Sequence, residues 1–253
     1  MANFATHLGV GTIASGMAAT LAVATEMINQ TDIITLALAG ALGSVLPDID
    51  LKDSRSSRII FFALGLFLSV VVLFCVVSKY SIVELWIIWI GTFLAVRYCL
   101  HSLFHNFAVH RGVFHSLLAG VFFLFATAAI FHHGLQSDPR ICWLSGIFML
   151  FGYIVHLLLD EIYSVDFSGN RVKRSFGTAL KLVEYRSPGA SFLMGVAAVG
   201  VFFLTPPFAS FFEVVGTSDI WTHLWDRMLP TDGWFGFDIG KIQTAVQPVD
   251  RFN

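Results

Sequence analysis

The stretch HRGVFHS, residues 110–116, separates two long apolar runs and carries one histidine on each side of a glycine. Imidazole is the commonest metal ligand among protein side chains, and packing alone does not explain two of them at the mouth of hydrophobic helices. Gly112 permits a tight chain reversal, which would turn the rings of His110 and His115 toward one point. The stretch therefore predicts a metal site at the ends of the flanking helices.

The composition is that of a polytopic membrane protein. Of the 253 residues, 56% are hydrophobic and 13% are charged, whereas about a quarter of the residues of a soluble domain are charged. The formal net charge of −2 provides no basic field, so we expect no nucleic-acid partner. The three cysteines lie in or beside apolar runs without metal-type spacing, which indicates packing residues. Because no Lys or Arg precedes the first apolar run, we interpret it as a membrane span rather than a signal peptide.

Seven apolar runs predict an all-α fold, a polytopic membrane helical bundle of about seven spans. The runs cover residues 8–28, 33–46, 59–77, 82–100, 113–131, 141–159 and 190–212. The second run is short, because a bilayer requires roughly 20 apolar residues. Pro206 and Pro207 are expected to kink or end the seventh run. We predict a membrane-embedded domain over residues 1–212 and an amphipathic, interfacial tail over residues 213–253.

The order of the spans decides which loops share a side of the membrane, because each crossing moves the chain to the opposite surface. Seven spans place His7, the loop over residues 48–58, the hinge over residues 101–112 and the loop over residues 161–189 on one surface. Ten of the 15 Lys and Arg residues fall on this surface. Since positively charged loops stay in the cytoplasm, we predict that this surface faces the cytoplasm.

Three further clusters carry imidazole or carboxylate groups on the same predicted surface. His156 and Asp160 are four residues apart and project from one face of a helix, Asp48 and Asp50 follow a proline, and His7 precedes the first span. Taken singly, the first pair also fits an internal hydrogen bond, the aspartates a solvated turn, and His7 a hydrated side chain. Their coincidence on one surface favours a shared metal site.

The donors together predict a centre for divalent metal ions. The predicted ligands are His7, Asp48, Asp50, His110, His115, His156 and Asp160. Mixed imidazole and carboxylate ligands suit Zn²⁺ first, with Mn²⁺ or Fe²⁺ as alternatives. Because this set exceeds the needs of one tetrahedral ion, we predict two ions rather than one. His101 and His105 are interpreted either as further ligands or as partners that orient the ligands, and His132, His133 and His223 as interface residues on the opposite surface.

These motifs resemble those of the YdjM-like membrane-bound metal-dependent hydrolases of bacteria and archaea. The resemblance rests on THLG at residues 6–9, LPDID at 46–50, HRGVFHS at 110–116, and GY at 152–153 with His156 and Asp160, and it spans about residues 5–170. The family is similar, more distantly, to zinc-dependent phospholipase C and single-strand nucleases, in which helical histidines and aspartates bind zinc. Phe114 stands where the family often has threonine, and the basic segment over residues 161–189 departs from the family's shorter apolar continuation.

The resemblance implies a metal-dependent hydrolase in the bacterial inner membrane, with the seven predicted ligands holding its metal. The lipid bilayer would surround the protein, and the substrate would be a phosphoester of a lipid or of another membrane-associated small molecule. We expect Asp48 or Asp50 to accept the proton of the attacking water. Arg111, Lys173 and Arg174 are the candidates for binding the phosphate.

Two other functions compete with hydrolysis. In the first, the metal only stabilises a helical bundle that serves as a non-catalytic regulatory or scaffolding membrane protein, as closed structural metal sites do. In the second, the protein transports metal ions or protons, which would need polar residues inside several spans. The middles of the runs over residues 59–77 and 113–131 are almost wholly apolar, which disfavours transport.

Overall fold

The computed structural model describes residues 3–50, 55–107, 112–166, 171–172 and 180–216, together with residues 222 and 228. Its α-helices in chain order are α1 (Phe4–Ala24), α2 (Ile33–Gly43), α3 (Arg55–Val76), α4 (Ile82–Leu94), α5 (His101–Phe107), α6 (Leu117–Ala129), α7 (Pro139–Ile162), α8 (Pro188–Phe202) and α9 (Phe208–Val215). Short 3₁₀ turns flank α2 at Gln30–Asp32 and Leu46–Asp50. Wider π-helical turns join α4 to α5 at Ala95–Leu100 and extend α6 at Ile130–Gly134.

Five helical segments among the described residues are long and apolar enough to cross a membrane. They are Phe4–Ala24, Ser57–Val76, Ile82–Phe104, Leu117–Gly134 and Pro139–Ile162. The predicted all-α membrane bundle is thereby confirmed. The second and seventh apolar runs form α2 and α8, whose 11 and 15 residues fall short of the roughly 20 that cross a bilayer. The predicted number of seven spans is therefore approximate.

The polar segment after α7 contains a short β-hairpin that the sequence did not predict. Strand β1 (Val165–Asp166) pairs antiparallel with β2 (Arg171–Val172). Two residues in each strand are too few to alter the all-α class, because an independent sheet needs more strands and a buried face. Most of the predicted interfacial tail lies outside the described residues, which include residues 213–216, Thr222 and Met228 of that stretch.

Helix α7 is the central element of the bundle and contacts α1, α2, α6 and α9. Its Trp143 and Tyr153 side chains are fully buried. The Asp138 side chain caps the first turn by accepting a hydrogen bond from the Arg140 N–H at 2.8 Å. Pro139 occupies the first helical position, where its missing N–H would have had no partner within the helix. Helix α7, which is capped at its start and packs against four other helices, therefore carries His156 and Asp160 into the bundle.

Helices α2 and α7 cross with their backbones in contact. A Cβ atom added to Gly152 would overlap the carbonyl oxygen of Gly40, and one added to Gly43 would overlap the carbonyl oxygen of Met149. In a membrane, small residues at a helix interface permit this approach, and van der Waals packing and interhelical hydrogen bonds then hold the helices together. The short distance between the backbones also lets a main-chain group at the end of α2 reach a side chain of α7.

Helices α3 and α4 pair with each other beside this core. Gly65 of α3 leaves room for the Phe93 ring, which would lie 3.3 Å from an added Cβ atom. Helix α3 also contacts the 3₁₀ turn at Leu46–Asp50 and the π-helical turn at Ile130–Gly134. Helix α3 therefore covers one side of the turn that follows α2.

The segment that begins at residue 180 docks on the start of α6. Leu117 and Leu118 donate their N–H groups to the carbonyl oxygens of Lys181 and Leu182, at 2.9 and 3.0 Å. The first N–H groups of a helix have no partner within the helix, so the segment satisfies two that would otherwise be orphaned. The start of α6, and the turn that precedes it, are thereby held from outside the helix.

Glu184 holds the docked segment together from within. Its carboxylate accepts hydrogen bonds from Lys181 Nζ and from the Arg186 N–H, and its backbone exchanges two hydrogen bonds with the Ser191 hydroxyl. Burial alone would raise the pKa of Glu184, but the hydrogen bonds and the charges of Lys181 and Arg186 hold that pKa below its usual value of 4.5. The carboxylate is therefore ionised at neutral pH and keeps both partners.

Candidate metal centre

Five buried side chains from four parts of the chain meet at one end of the bundle. His7 lies in the first turn of α1, Asp48 in the 3₁₀ turn after α2, His115 in the turn before α6, and His156 and Asp160 near the end of α7. Each of these residues is at most 8% exposed. The structure thus brings together five of the seven predicted ligands, and the burial of Asp48 contradicts its interpretation as a solvated turn.

Four donor atoms of this cluster are almost evenly spaced. His115 Nε2 lies 3.7 Å from Asp48 Oδ1 and 4.0 Å from Asp160 Oδ2. His156 Nε2 lies 3.7 Å from Asp48 Oδ1 and 3.8 Å from Asp160 Oδ2. These distances exceed the length of a hydrogen bond, about 2.7–3.2 Å. The two imidazoles and the two carboxylates therefore face one another across a small gap.

The backbone at the end of α2 orients His156. Its Nδ1 lies 2.7 Å from the Ser44 carbonyl oxygen. Because a carbonyl only accepts, Nδ1 carries a proton, and in the neutral ring Nε2 then carries the lone pair. His156 is fully buried, and its Nε2 makes no hydrogen bond within the described part of the chain. A buried polar atom without a partner costs about 1–3 kcal/mol, which a bound cation would offset. A histidine that donates one N–H to a backbone carbonyl is the usual arrangement of a metal ligand.

His7 is placed differently from the other two histidines. Its Nε2 lies 3.3 Å from Asp160 Oδ1, slightly longer than a typical hydrogen bond but shorter than the four distances above. Its ring stacks on that of His156, with centroids 3.7 Å apart and planes inclined by 13°. The rings of His115 and His156, in contrast, have centroids 5.7 Å apart and planes inclined by 72°. His7 therefore contacts the other members of the cluster through one oxygen of Asp160 and through the face of the His156 ring.

Two overlapping sets of donor atoms are close enough together, by distance alone, to hold a divalent ion. One consists of His7, His156 and Asp160, and the other of Asp48, His115 and His156. Within each set the ligand atoms lie within 4.8 Å of one another. Imidazole nitrogens and carboxylate oxygens are ligands of Zn²⁺, so the side chains that meet here fit the predicted ion.

A family model described as "YdjM inner membrane protein" matches residues 1–172, more than half of the chain. The chain belongs to the YdjM inner membrane protein family. The matched region contains the five candidate spans and all five residues of the buried cluster. The resemblance seen in the motifs is thereby confirmed, and the protein is a multi-pass inner membrane protein. Neither a curated protein nor a solved structure matches the chain.

A tyrosine to which the sequence analysis gave no role fixes one ligand of this YdjM-family protein. Tyr153 is fully buried, and its hydroxyl donates a hydrogen bond to the carbonyl oxygen of Phe114. Phe114 directly precedes His115 in the chain. Tyr153 stands three residues before His156 on α7, and this spacing, which puts both on one face of the helix, is its signal in the sequence. The hydrogen bond therefore ties together the two elements that carry these imidazoles.

Replacing Tyr153 with phenylalanine should weaken metal binding without removing a ligand. The substitution removes a hydrogen bond in a partly buried position, at a cost of about 0.5–1.5 kcal/mol, and loosens the turn that carries His115. We expect the metal affinity to fall about 10-fold, as for other residues that orient ligands, which a competition titration with a chromophoric chelator would measure. Tyr80→Phe, at an exposed position, is the matched control. Equal affinities of the two variants would contradict the role of Tyr153.

Five predicted site residues lie outside what the structure describes. Asp50 ends the 3₁₀ turn that carries Asp48, but its side chain is not among the described parts of the chain. The others, His110, Arg111, Lys173 and Arg174, fall in undescribed stretches. Their roles as metal ligands and phosphate-binding residues of this YdjM-family protein stay predictions.

The other histidines of this YdjM-family protein, where they are described, belong to neither donor set. His101 packs edge-to-face on Phe61, with ring centroids 4.8 Å apart, and belongs to neither of the two donor sets found among the described residues. At the other end of α6, His133 Nε2 pairs with the Leu204 carbonyl oxygen at 2.9 Å. The side chain of His105 and the whole of His223 are outside the described residues.

Proposed function

We propose that this chain is a membrane-bound, metal-dependent hydrolase that cleaves a phosphoester of a lipid or of another membrane-associated molecule. The observation that carries the proposal is the cluster of three imidazoles and two carboxylates buried at one end of a membrane bundle. Burying carboxylates in such surroundings is costly unless cations balance them. Packing between apolar helices requires none of these groups, so their convergence favours a functional site.

The proposed chemistry divides the work between the ion and the side chains. When bound, a divalent ion, with Zn²⁺ first and Mn²⁺ or Fe²⁺ as alternatives, would supply Lewis-acid polarisation of the phosphoryl oxygen and activation of water. Asp48 or Asp50 would accept the proton of the attacking water. Asp48 is the most exposed of the five clustered residues, at 8%, which favours its access to water, and Asp50 follows it in the same turn.

The position of the cluster supports a substrate at the membrane surface. The donors come from the ends of α1, α2 and α7 and from the turn before α6, and the ends of membrane-spanning helices lie near the level of lipid headgroups. We propose that Arg111, Lys173 and Arg174 bind the phosphate. The excess of Lys and Arg in the loops on this side favours a site that faces the cytoplasm.

Metal removal tests this function directly. Protein purified in detergent should contain a divalent ion, and it should hydrolyse at least one member of a panel of phospholipids and phosphomonoesters. Stripping the ion with a chelator should abolish hydrolysis, and adding Zn²⁺ should restore it, because the ligands are side chains that survive the treatment. Hydrolysis that persists in metal-free protein, or the absence of any bound ion, would refute the proposal.

One observation also favours the non-catalytic alternative. The clustered residues other than Asp48 are at most 4% exposed, and closed sites are typical of structural metals. In that case metal removal would lower the thermal stability of the bundle, and no substrate in the panel would be turned over. Stability and hydrolysis measured on the same stripped and reloaded samples therefore distinguish the two functions.

A further inference from the structure

The buried cluster contains more donors than one ion needs, and the orientations of its rings assign them different tasks. We infer that His115, His156, Asp48 and Asp160 hold a single ion, and that His7 is a positioning residue that holds Asp160. This inference rests on the proposed function, since it assumes that the cluster binds a metal. It differs from the two-ion centre and the His7 ligand that the sequence predicts.

The spacing of four atoms supports a single ion. Bonds of about 2.0–2.1 Å to a tetrahedral zinc place neighbouring ligand atoms about 3.4 Å apart. The imidazole and carboxylate atoms of the four residues are separated by 3.7, 4.0, 3.7 and 3.8 Å. Each of these four histidine-to-carboxylate separations would therefore have to shorten by about 0.3–0.6 Å to reach that spacing. Two nitrogens and two oxygens would then surround the ion.

The ring of His7 is oriented so that it cannot bind the same ion as His156. An imidazole binds a metal in the plane of its ring, along the lone pair of one nitrogen. The rings of His7 and His156 are nearly parallel and stacked, with centroids 3.7 Å apart, so an ion in the plane of one lies far above the plane of the other. The rings of His115 and His156 are steeply inclined, by 72°, and both Nε2 atoms lie 3.7 Å from Asp48 Oδ1, so one position beside that oxygen can lie close to both ring planes.

His156 also limits the number of ions that these side chains can hold. Both sets of donors include His156. Its Nδ1 is hydrogen-bonded to the Ser44 carbonyl oxygen. The two sets therefore share a single lone pair of the neutral ring, the one on Nε2. One lone pair binds one ion. The two overlapping sets are therefore not two complete sites.

The contact between His7 and Asp160 indicates the role of His7. Its Nε2 lies 3.3 Å from Asp160 Oδ1, whereas the other oxygen of the same carboxylate, Oδ2, faces His115 and His156. A hydrogen bond donated by His7 would fix the rotation of the carboxylate and leave Oδ2 directed at the ion. Residues that orient ligands in this way typically change metal affinity by about 10–100-fold when they are removed.

The experiment compares the same substitution at two histidines. His7→Gln keeps an N–H donor near the position of Nε2, so it should bind one ion with an affinity close to that of the wild type and an unchanged visible spectrum when loaded with Co²⁺. His7→Ala should still bind one ion per chain, with an affinity about 10–100-fold lower. His115→Gln removes a proposed ligand and should bind no ion at the concentrations that saturate the other proteins.

Ion counts by native mass spectrometry and elemental analysis separate the outcomes. One ion per wild-type chain is the expected result. Two ions per wild-type chain, with one left in His7→Ala, would overturn this inference and leave the proposed hydrolase intact. Loss of the ion from His7→Gln to the same extent as from His115→Gln would show that His7 is a ligand. No ion in the wild type would overturn the inference and the proposed function together. If His7→Ala does not fold, His7→Gln decides between the two roles of His7. Binding close to that of the wild type supports the positioning role, and loss of the ion as in His115→Gln contradicts it.

Discussion

Replacing His156 with alanine should empty the proposed metal centre and abolish hydrolysis. His156 Nε2 faces both Asp48 and Asp160 at 3.7 and 3.8 Å, and its Nδ1 is fixed by the carbonyl oxygen of Ser44 directly after α2. Loss of an orienting residue already costs about 10–100-fold in metal affinity, so loss of a ligand should exceed about 100-fold. Elemental analysis of the purified variant and a phosphoester assay would measure both effects.

A histidine at the opposite end of the bundle provides the control for this substitution. His133 pairs with the Leu204 carbonyl oxygen, far along α6 from the cluster, so His133→Ala removes an imidazole without touching the proposed centre. We expect it to retain the metal content and the turnover of the wild type. A His156→Ala protein that is folded, fully loaded and active would refute the assignment of the centre.

The convergence of the donors could be predicted from the sequence, because the order of the spans determines the surface on which each loop emerges. That reasoning placed His7, the LPDID turn, the residues around His115 and the end of α7 on one surface, and the structure brings representatives of all four together. The four regions converge although α2 has only 11 residues, because even a short helix reverses the direction of the chain. The i, i+4 spacing of His156 and Asp160 likewise predicted their common face.

The division of labour among the donors could not be predicted in the same way. It depends on angles between rings from different helices, and no local pattern encodes whether His7 stacks on His156 or faces it edge-on. The bond from His156 to the Ser44 carbonyl depends on how closely α2 and α7 approach. A turn carbonyl leaves no trace in the side-chain sequence, so the link from Tyr153 to the residue before His115 was also invisible, apart from the helical spacing of Tyr153.

The close approach of α2 and α7 leads to the prediction with the largest effect on stability. A Cβ atom at Gly152 would overlap the carbonyl oxygen of Gly40 and lie 3.0 Å from the Ser44 backbone nitrogen. Neither obstacle is the end of a flexible side chain, so Gly152→Ala must force the two helices apart. Overpacking in a well-packed core costs about 1–3 kcal/mol and occasionally more, and we expect a cost at or above the upper end of that range.

The same displacement should also disturb the metal centre, because the hydrogen bond from His156 Nδ1 to the Ser44 carbonyl oxygen crosses this interface. Thermal unfolding in detergent should show a lower midpoint for Gly152→Ala, and the folded fraction should contain less metal than the wild type. Gly195→Ala in α8 is the matched control, since no described atom lies within 4 Å of its added Cβ. There the substitution should leave the metal content unchanged and stabilise the helix by about 0.5–1 kcal/mol. A Gly152→Ala protein as stable and as fully loaded as the control would mean that the centre does not depend on contact between the two backbones.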